Sequence, residues 1–196
     1  MNKTVVMATN NADKLREARE ILSPLGIEVL SQRDTGIKVE PVEDGTTFAE
    51  NSEIKARAVF EALGGKYPVM ADDSGIVVDA LGGRPGVYSA RYAPSGEECT
   101  KLLSEMEGIP DEKRTARFVC NITFIDTEGK VFHAEGKVEG RVAHEMRGEN
   151  GFVYDHIFLY GDKTTAELSP EEKNSISHRG AAMRALYKHL EERYGD

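Results

Sequence analysis

An apolar stretch that runs straight into two adjacent carboxylates narrows the options for this chain more than any other feature. Tyr67-Pro68-Val69-Met70-Ala71 reads as the end of a buried strand and Asp72-Asp73-Ser74-Gly75 follows it. Beyond lies Leu81-Gly82-Gly83-Arg84-Pro85-Gly86, which must be loop. Two neighbouring carboxylates at a strand end repel each other unless a cation or a hydrogen-bond network holds them. Hard oxygen ligands of this kind suit magnesium, which takes one or two carboxylates together with substrate phosphates. The same run also reads as a solvated turn, because Asp, Ser and Gly are ordinary turn residues. By itself it does not decide between the two.

The flanking sequence alternates strand and helix signals. Thr4 to Thr9 is strand-like, and Met1 to Met7 is too short and too quickly polar for a signal peptide. Asn10 and Asn11 offer cap chemistry to a helix whose Leu15, Ala18, Ile21, Leu22 and Leu25 share one face, with Gly26 as the stop. Thr9 to Lys14 is therefore a strand-to-helix junction, and the free N–H groups of a helix start favour anions. A capped surface helix with a solvated Lys14 is the alternative. No Walker loop is present.

Thr47 followed by Glu50 predicts a capping box. The helix it opens runs to Gly64-Gly65, with Phe48, Ile54, Ala58 and Ala62 expected in the core. Lys55 on that helix is either directed into a cleft or a solvated, snorkelling lysine. A helix is expected over about 97–106, then a hairpin from Arg117 to Ile125 and back from Lys130 to Ala134. Gly136 and Gly140 predict a bend or bulge in the extended run that follows. Ser169-Pro170-Glu171-Glu172 starts a further helix, which Ser177-His178-Arg179-Gly180 interrupts or restarts.

At 196 residues the chain can bury one sizeable core, in one lobe or two. A net charge of -9 disfavours broad binding to nucleic acid or anionic membrane, yet leaves room for a small basic pocket holding one phosphorylated ligand. No apolar run approaches transmembrane length. Cys99 and Cys120 form no close metal-like pair and fit a reducing, cytoplasmic setting, with Cys120 in the core.

Several separated motifs agree with one another. They are Thr9 through Lys14, Thr47-Phe48-Ala49-Glu50-Asn51-Ser52, Ala71 through Gly75, Gly82 through Arg91, Gly151 through Asp155, and Glu172 through Arg179. Their identity and order resemble the inosine/xanthosine triphosphate pyrophosphatase family over nearly the whole chain. The resemblance implies an α/β fold with a long mixed central sheet, flanking helices and two lobes around a nucleotide-binding cleft. It implies a single inosine triphosphatase-like domain over residues 1–196. The implied activity is magnesium-dependent hydrolysis of non-standard purine nucleoside triphosphates (dITP, ITP, XTP) to monophosphate and pyrophosphate, by a cytoplasmic homodimer.

Carried across by motif, Thr9, Asn10, Asn11, Ala12, Asp13 and Lys14 correspond to a phosphate-binding segment. Asp73 corresponds to the general base and a Mg2+ ligand, Glu43 to a second metal ligand, with Asp72 assisting. Ser74 and Lys55 correspond to substrate contacts. Phe152, Val153, Tyr154 and Asp155 correspond to the base-binding segment, with the aromatic ring stacked on the purine. Lys173, His178 and Arg179 correspond to further nucleotide contacts. The residue types suit the chemistry: cations stabilise charge building on the leaving pyrophosphate, and a carboxylate deprotonates water. The chain departs from the family pattern at Val153 and His156, where glycine and proline are usual, and at Asn10, a frequent glycine. Val153 would be strained if its position required positive φ. These departures keep two other readings open: a nucleotide-binding module with little catalysis, and a pyrophosphatase of shifted base specificity.

Overall fold

The alternation of residues along the strands explains most of the architecture, which a computed structural model describes for residues 3–194. Met1 and Asn2, part of the segment read above as too short for a signal peptide, lie outside the described residues, as do Gly195 and Asp196. Strand β1 (Thr4–Met7) leads to helix α1 (Ala12–Leu22), which buries Leu15, Ala18 and Leu22 as expected. Strand β2 (Glu28–Ser31) returns parallel to β1, and helix α2 (Phe48–Ala62) follows. Next come β3 (Val69–Val78), α3 (Glu98–Glu105), β4 (Thr115–Ile125) and β5 (Val131–Val142). Strands β6 (Phe158–Tyr160) and β7 (Lys163–Thr164) precede helices α4 (Pro170–Ile176) and α5 (His178–Tyr194).

The seven strands form one sheet in the order β2-β1-β3-β4-β5-β6-β7. It is mixed: β1 pairs parallel with both β2 and β3, whereas β6 pairs antiparallel with both β5 and β7. The fold is α/β, as the sequence implied.

The chain divides into two compact units, one running to Asp73 with Cys120–Gly136 and the residues from Arg179, the other Ser74–Val119 and Lys137–His178. In the first, strand parity sends Val5, Met7 and Met70 to a core shared with Leu15, Leu22, Met183 and Leu186 of α1 and α5. Val6, Val69 and Ala71 point the other way, onto Ala56 and Val59 of α2. In the second, Ile76, Val78, Leu102, Met106, Val138 and Phe158 form a separate core.

Three local expectations are corrected. Ala71 to Gly75 is no turn at a strand end but the interior of β3, which continues to Val78. The buried face of α2 is Asn51, Ser52, Ala56 and Val59; Phe48, Ile54 and Ala58 are half-buried and Ala62 is exposed. Polar residues can turn inward there because Ser52 Oγ donates to Asn121 Oδ1 at 2.9 Å and lies 2.6 Å from Thr123 Oγ1 on β4. Gly136 and Gly140 sit inside an unbroken β5. At Gly140 a side chain would run into the Leu159 carbonyl and the Phe158 ring, so close approach rather than a bend demands glycine.

Candidate active site

The parity that sorts the first unit's core also separates the two carboxylates. Asp72 shares the orientation of Met70 and meets α1 and α5, while Asp73 shares that of Ala71 and meets α2. Asp72 is 3% exposed and accepts from Lys14 Nζ at 2.7 Å. Burial pushes its carboxyl up, but the charges of Lys14, Lys55 and Arg179 together outweigh this and hold it at about 2. Lys55 Nζ donates to the Asp72 carbonyl at 2.5 Å and stands 3.2 Å from Glu43 Oε1 and 3.7 Å from Asp73 Oδ1.

Asp73 has the opposite balance. Burial pushes its carboxyl up to about 6, and the nearby Glu43 and Asp72 charges add to this against Lys55 and Asn51. Its Oδ2 is buried with no hydrogen-bond partner. A carboxylate oxygen in that state is costly unless something binds it.

At the start of α1, Asn11 Oδ1 accepts the N–H groups of Asp13 and Lys14 at 3.0 and 3.1 Å, and Thr9 Oγ1 accepts that of Asn11. The cap is as expected; it also engages two of the N–H groups that an anion would use. Asn10 and Ala12 are exposed, and Asp13 pairs with Arg16. Arg179 lies 3.3 Å from Glu17, with its Nε buried and unbonded. Thus the fold gathers Lys14, Glu43, Lys55, Asp72, Asp73 and Arg179 in one unit, as charges that face each other.

The second unit holds the other expected residues. Asp155 is buried and accepts from Phe152 N at 2.6 Å, Thr165 Oγ1 at 2.7 Å and Lys173 Nζ at 2.5 Å. Gly151, at φ 88°, leaves space that a side chain would take from the Asp155 carboxylate. Phe152 is 62% exposed, and Lys173 Nζ is 5.1 Å from its ring centroid. Tyr154 is buried and donates to the Ser89 carbonyl at 2.7 Å. Val153 begins a short 3-10 turn, Val153–His156, and its carbonyl accepts from Cys99 Sγ at 2.9 Å. No described non-glycine residue has positive φ, so the strain considered for Val153 is absent. His178 stacks on Phe118 with ring centroids 5.1 Å apart, and Ser74 is half-buried on β3.

One residue of the site escaped the sequence reading. Asn51 is 1% exposed, accepts from Gly45 N–H at 2.8 Å, and its amide works against the rise of the Asp73 carboxyl. A side chain at Gly45 would come within 2.6 Å of Asn51 Oδ1. The short spacing of Gly45 and Asn51 about the helix cap was the available signal.

A model of the Ham1 family matches residues 5–189. The chain belongs to that family. The motif resemblance is thereby borne out, and it extends to individual Ham1 relatives. The dITP/XTP pyrophosphatase of Bacillus subtilis (strain 168) is 48% identical over 195 residues, covering 96% of this chain and 98% of its own. That of Vibrio parahaemolyticus is 44% identical, covering 96% of each. The solved Staphylococcus aureus Ham1 protein superposes with a TM-score of 0.89 at 37% identity, over 97% of this chain and 99% of its own.

Proposed function

We propose that this Ham1 protein hydrolyses non-standard purine nucleoside triphosphates (dITP, ITP and XTP) to the monophosphate and pyrophosphate. The observation that carries the reading is Asp73: a carboxylate raised to about 6, with one oxygen buried and unbonded, set beside Glu43 and Lys55. The relatives named dITP/XTP pyrophosphatase supply the substrate class.

The donor set fits magnesium. Among the described residues no three His, Cys, Asp or Glu side chains converge as a metal cage. Two carboxylates, Glu43 and Asp73, suit an ion that keeps most of its shell for water and phosphate oxygens. Bound there, magnesium would offset phosphate charge. Asp73 takes the proton of the attacking water, its Oδ2 having no partner in the protein to compete for it. Lys55 and Lys14 bind phosphate oxygens and stabilise charge on the departing pyrophosphate. Thr9, Asn10, Asn11, Ala12 and Asp13 form the loop along which those phosphates lie, and Ser74 contacts the substrate.

In the second unit the exposed Phe152 ring stacks on the purine, while Asp155 and Tyr154 hold the segment that carries it. Lys173 and His178 are this unit's further nucleotide contacts, and Arg179 is assigned the same role in the first unit. We assign the whole chain as one functional domain acting in the cytoplasm as a homodimer. Among the described residues no helix is long and apolar enough to cross a membrane.

The test is pyrophosphate release from ITP, dITP, XTP, ATP and GTP, with magnesium and with chelator. Metal-dependent release from the first three and little from the others is expected. Binding of ITP without release would make the chain a binding module, and a different preferred base would mark shifted specificity.

A further inference from the structure

The inward polar face of α2 has a consequence for Asp73 that goes beyond packing. Ser52 is fully buried and ties the helix to β4 through Asn121 and Thr123, with its Oγ also 3.0 Å from the Ala49 carbonyl. With the helix fixed in depth and rotation, Asn51 and Lys55, one turn apart, are both presented to the segment 43–45 and to β3. Lys55 meets Glu43 and Asp73 as a charge. Asn51 meets the same two segments as a neutral amide. Its Oδ1 accepts from Gly45 N–H at 2.8 Å, two residues beyond Glu43, and its amide favours the charged form of Asp73. Asn51 is 1% exposed, and Gly45 has no room for a side chain against it. Aspartate there would add a third negative charge beside Glu43 and Asp73.

We infer that Asn51 is a positioning residue: a two-ended amide clamp that fixes the Glu43-bearing connector against Asp73. The clamp sets the rate of the chemical step, not the affinity for substrate. This rests on the proposed assignment of Asp73 and Glu43 to catalysis. A displacement of about 1 Å at such a pair is enough to cost on the order of 100-fold in rate.

Three variants test it, read by kcat and KM for dITP and by amide hydrogen exchange at Gly45 in the metal-free protein. Asn51→Ala is expected to lower kcat roughly 100-fold with KM held within about 3-fold, and to speed Gly45 exchange by about 10-fold or more. Asn51→Asp keeps an acceptor for Gly45 N–H but loses the donor toward Asp73. It is expected to keep slow exchange and still lose kcat. Gly45→Ala breaks the clamp from its other side and is expected to repeat the Asn51→Ala pattern. Unchanged kcat in Asn51→Ala, or KM rising in step with a fall in kcat, overturns the inference. So does unchanged Gly45 exchange. If the unaltered protein releases no pyrophosphate from any nucleotide, the proposed function fails instead. The exchange measurement still reports whether the clamp exists.

Discussion

Asp155 in the second unit and Asp73 in the first are held in opposite ways. Asp155 in the second unit accepts three hydrogen bonds, from a backbone N–H, a hydroxyl and an ammonium. Asp73 in the first keeps one buried oxygen with no partner, near two other carboxylates. A satisfied carboxylate stabilises a particular chain geometry, whereas an unsatisfied one stores a demand that a ligand or proton can meet. The difference separates residues that shape the site from one that is built to react. It also explains why the exposed Phe152, not the buried Asp155 or Tyr154, is assigned to the base.

The most severe way to break this contrast is at Asp73. Asp73→Asn is expected to lower kcat by about 10³-fold, the scale of a lost general base, while circular dichroism stays native. The same change should stabilise the metal-free protein. The Asp73 carboxyl is raised to about 6 from an ordinary 3.8, so protonation favours the folded state. Its contribution is fully present below 3.8 and is lost as pH rises through 6. Asp72, held at about 2, behaves inversely: its contribution is present above 3.8 and lost as pH falls toward 2. In chelator, Asp73→Asn is therefore expected to melt close to the unaltered protein at pH 4 and higher than it at pH 8. A gain on the order of 3 kcal/mol at pH 8 follows from a shift of this size. A lower melting point at pH 8 would show that Asp73 is structural after all.

Asp155→Asn should do the reverse. It leaves Lys173 facing a neutral amide, and breaking a buried pair costs about 3 kcal/mol. Denaturant unfolding reads this as a lower midpoint with unchanged slope. Phe152→Ala is expected to raise KM for dITP about 10-fold, the worth of one stacked base, with kcat and melting temperature near their starting values. Unchanged KM would remove the ring from base recognition. The smallest effect is expected at Val153→Gly. With no positive φ to relieve, the change should leave the preference for dITP over dGTP intact or improve it. Loss of that preference would mean that the valine side chain itself reads the base.

The parts of the fold legible in sequence were those written in local chemistry. Thr47 and Glu50 make the reciprocal cap their spacing predicts, as do Ser169 and Glu172, and Asn11 caps α1. The α2 core face was not legible, because apolar periodicity favours Ile54 and Ala58. The groups that draw Ser52 inward lie 69 and 71 positions away. The acidic run looked like a turn because Asp, Ser and Gly disfavour strands; lysines from two distant helices hold it in one. In the site, residue types and order could be matched to a family. That the adjacent carboxylates face opposite helices follows only once the strand is known to pass through them.

Cys99 and Cys120 are both buried and unpaired, and burial pushes both thiols up, Cys99 to about 11. The reactive thiolate is therefore scarce at neutral pH and shielded by packing. A single cysteine introduced on the surface should take a maleimide dye without prior removal of the native pair. Substrate addition can then be followed by fluorescence from a dye on either unit in an otherwise unaltered chain.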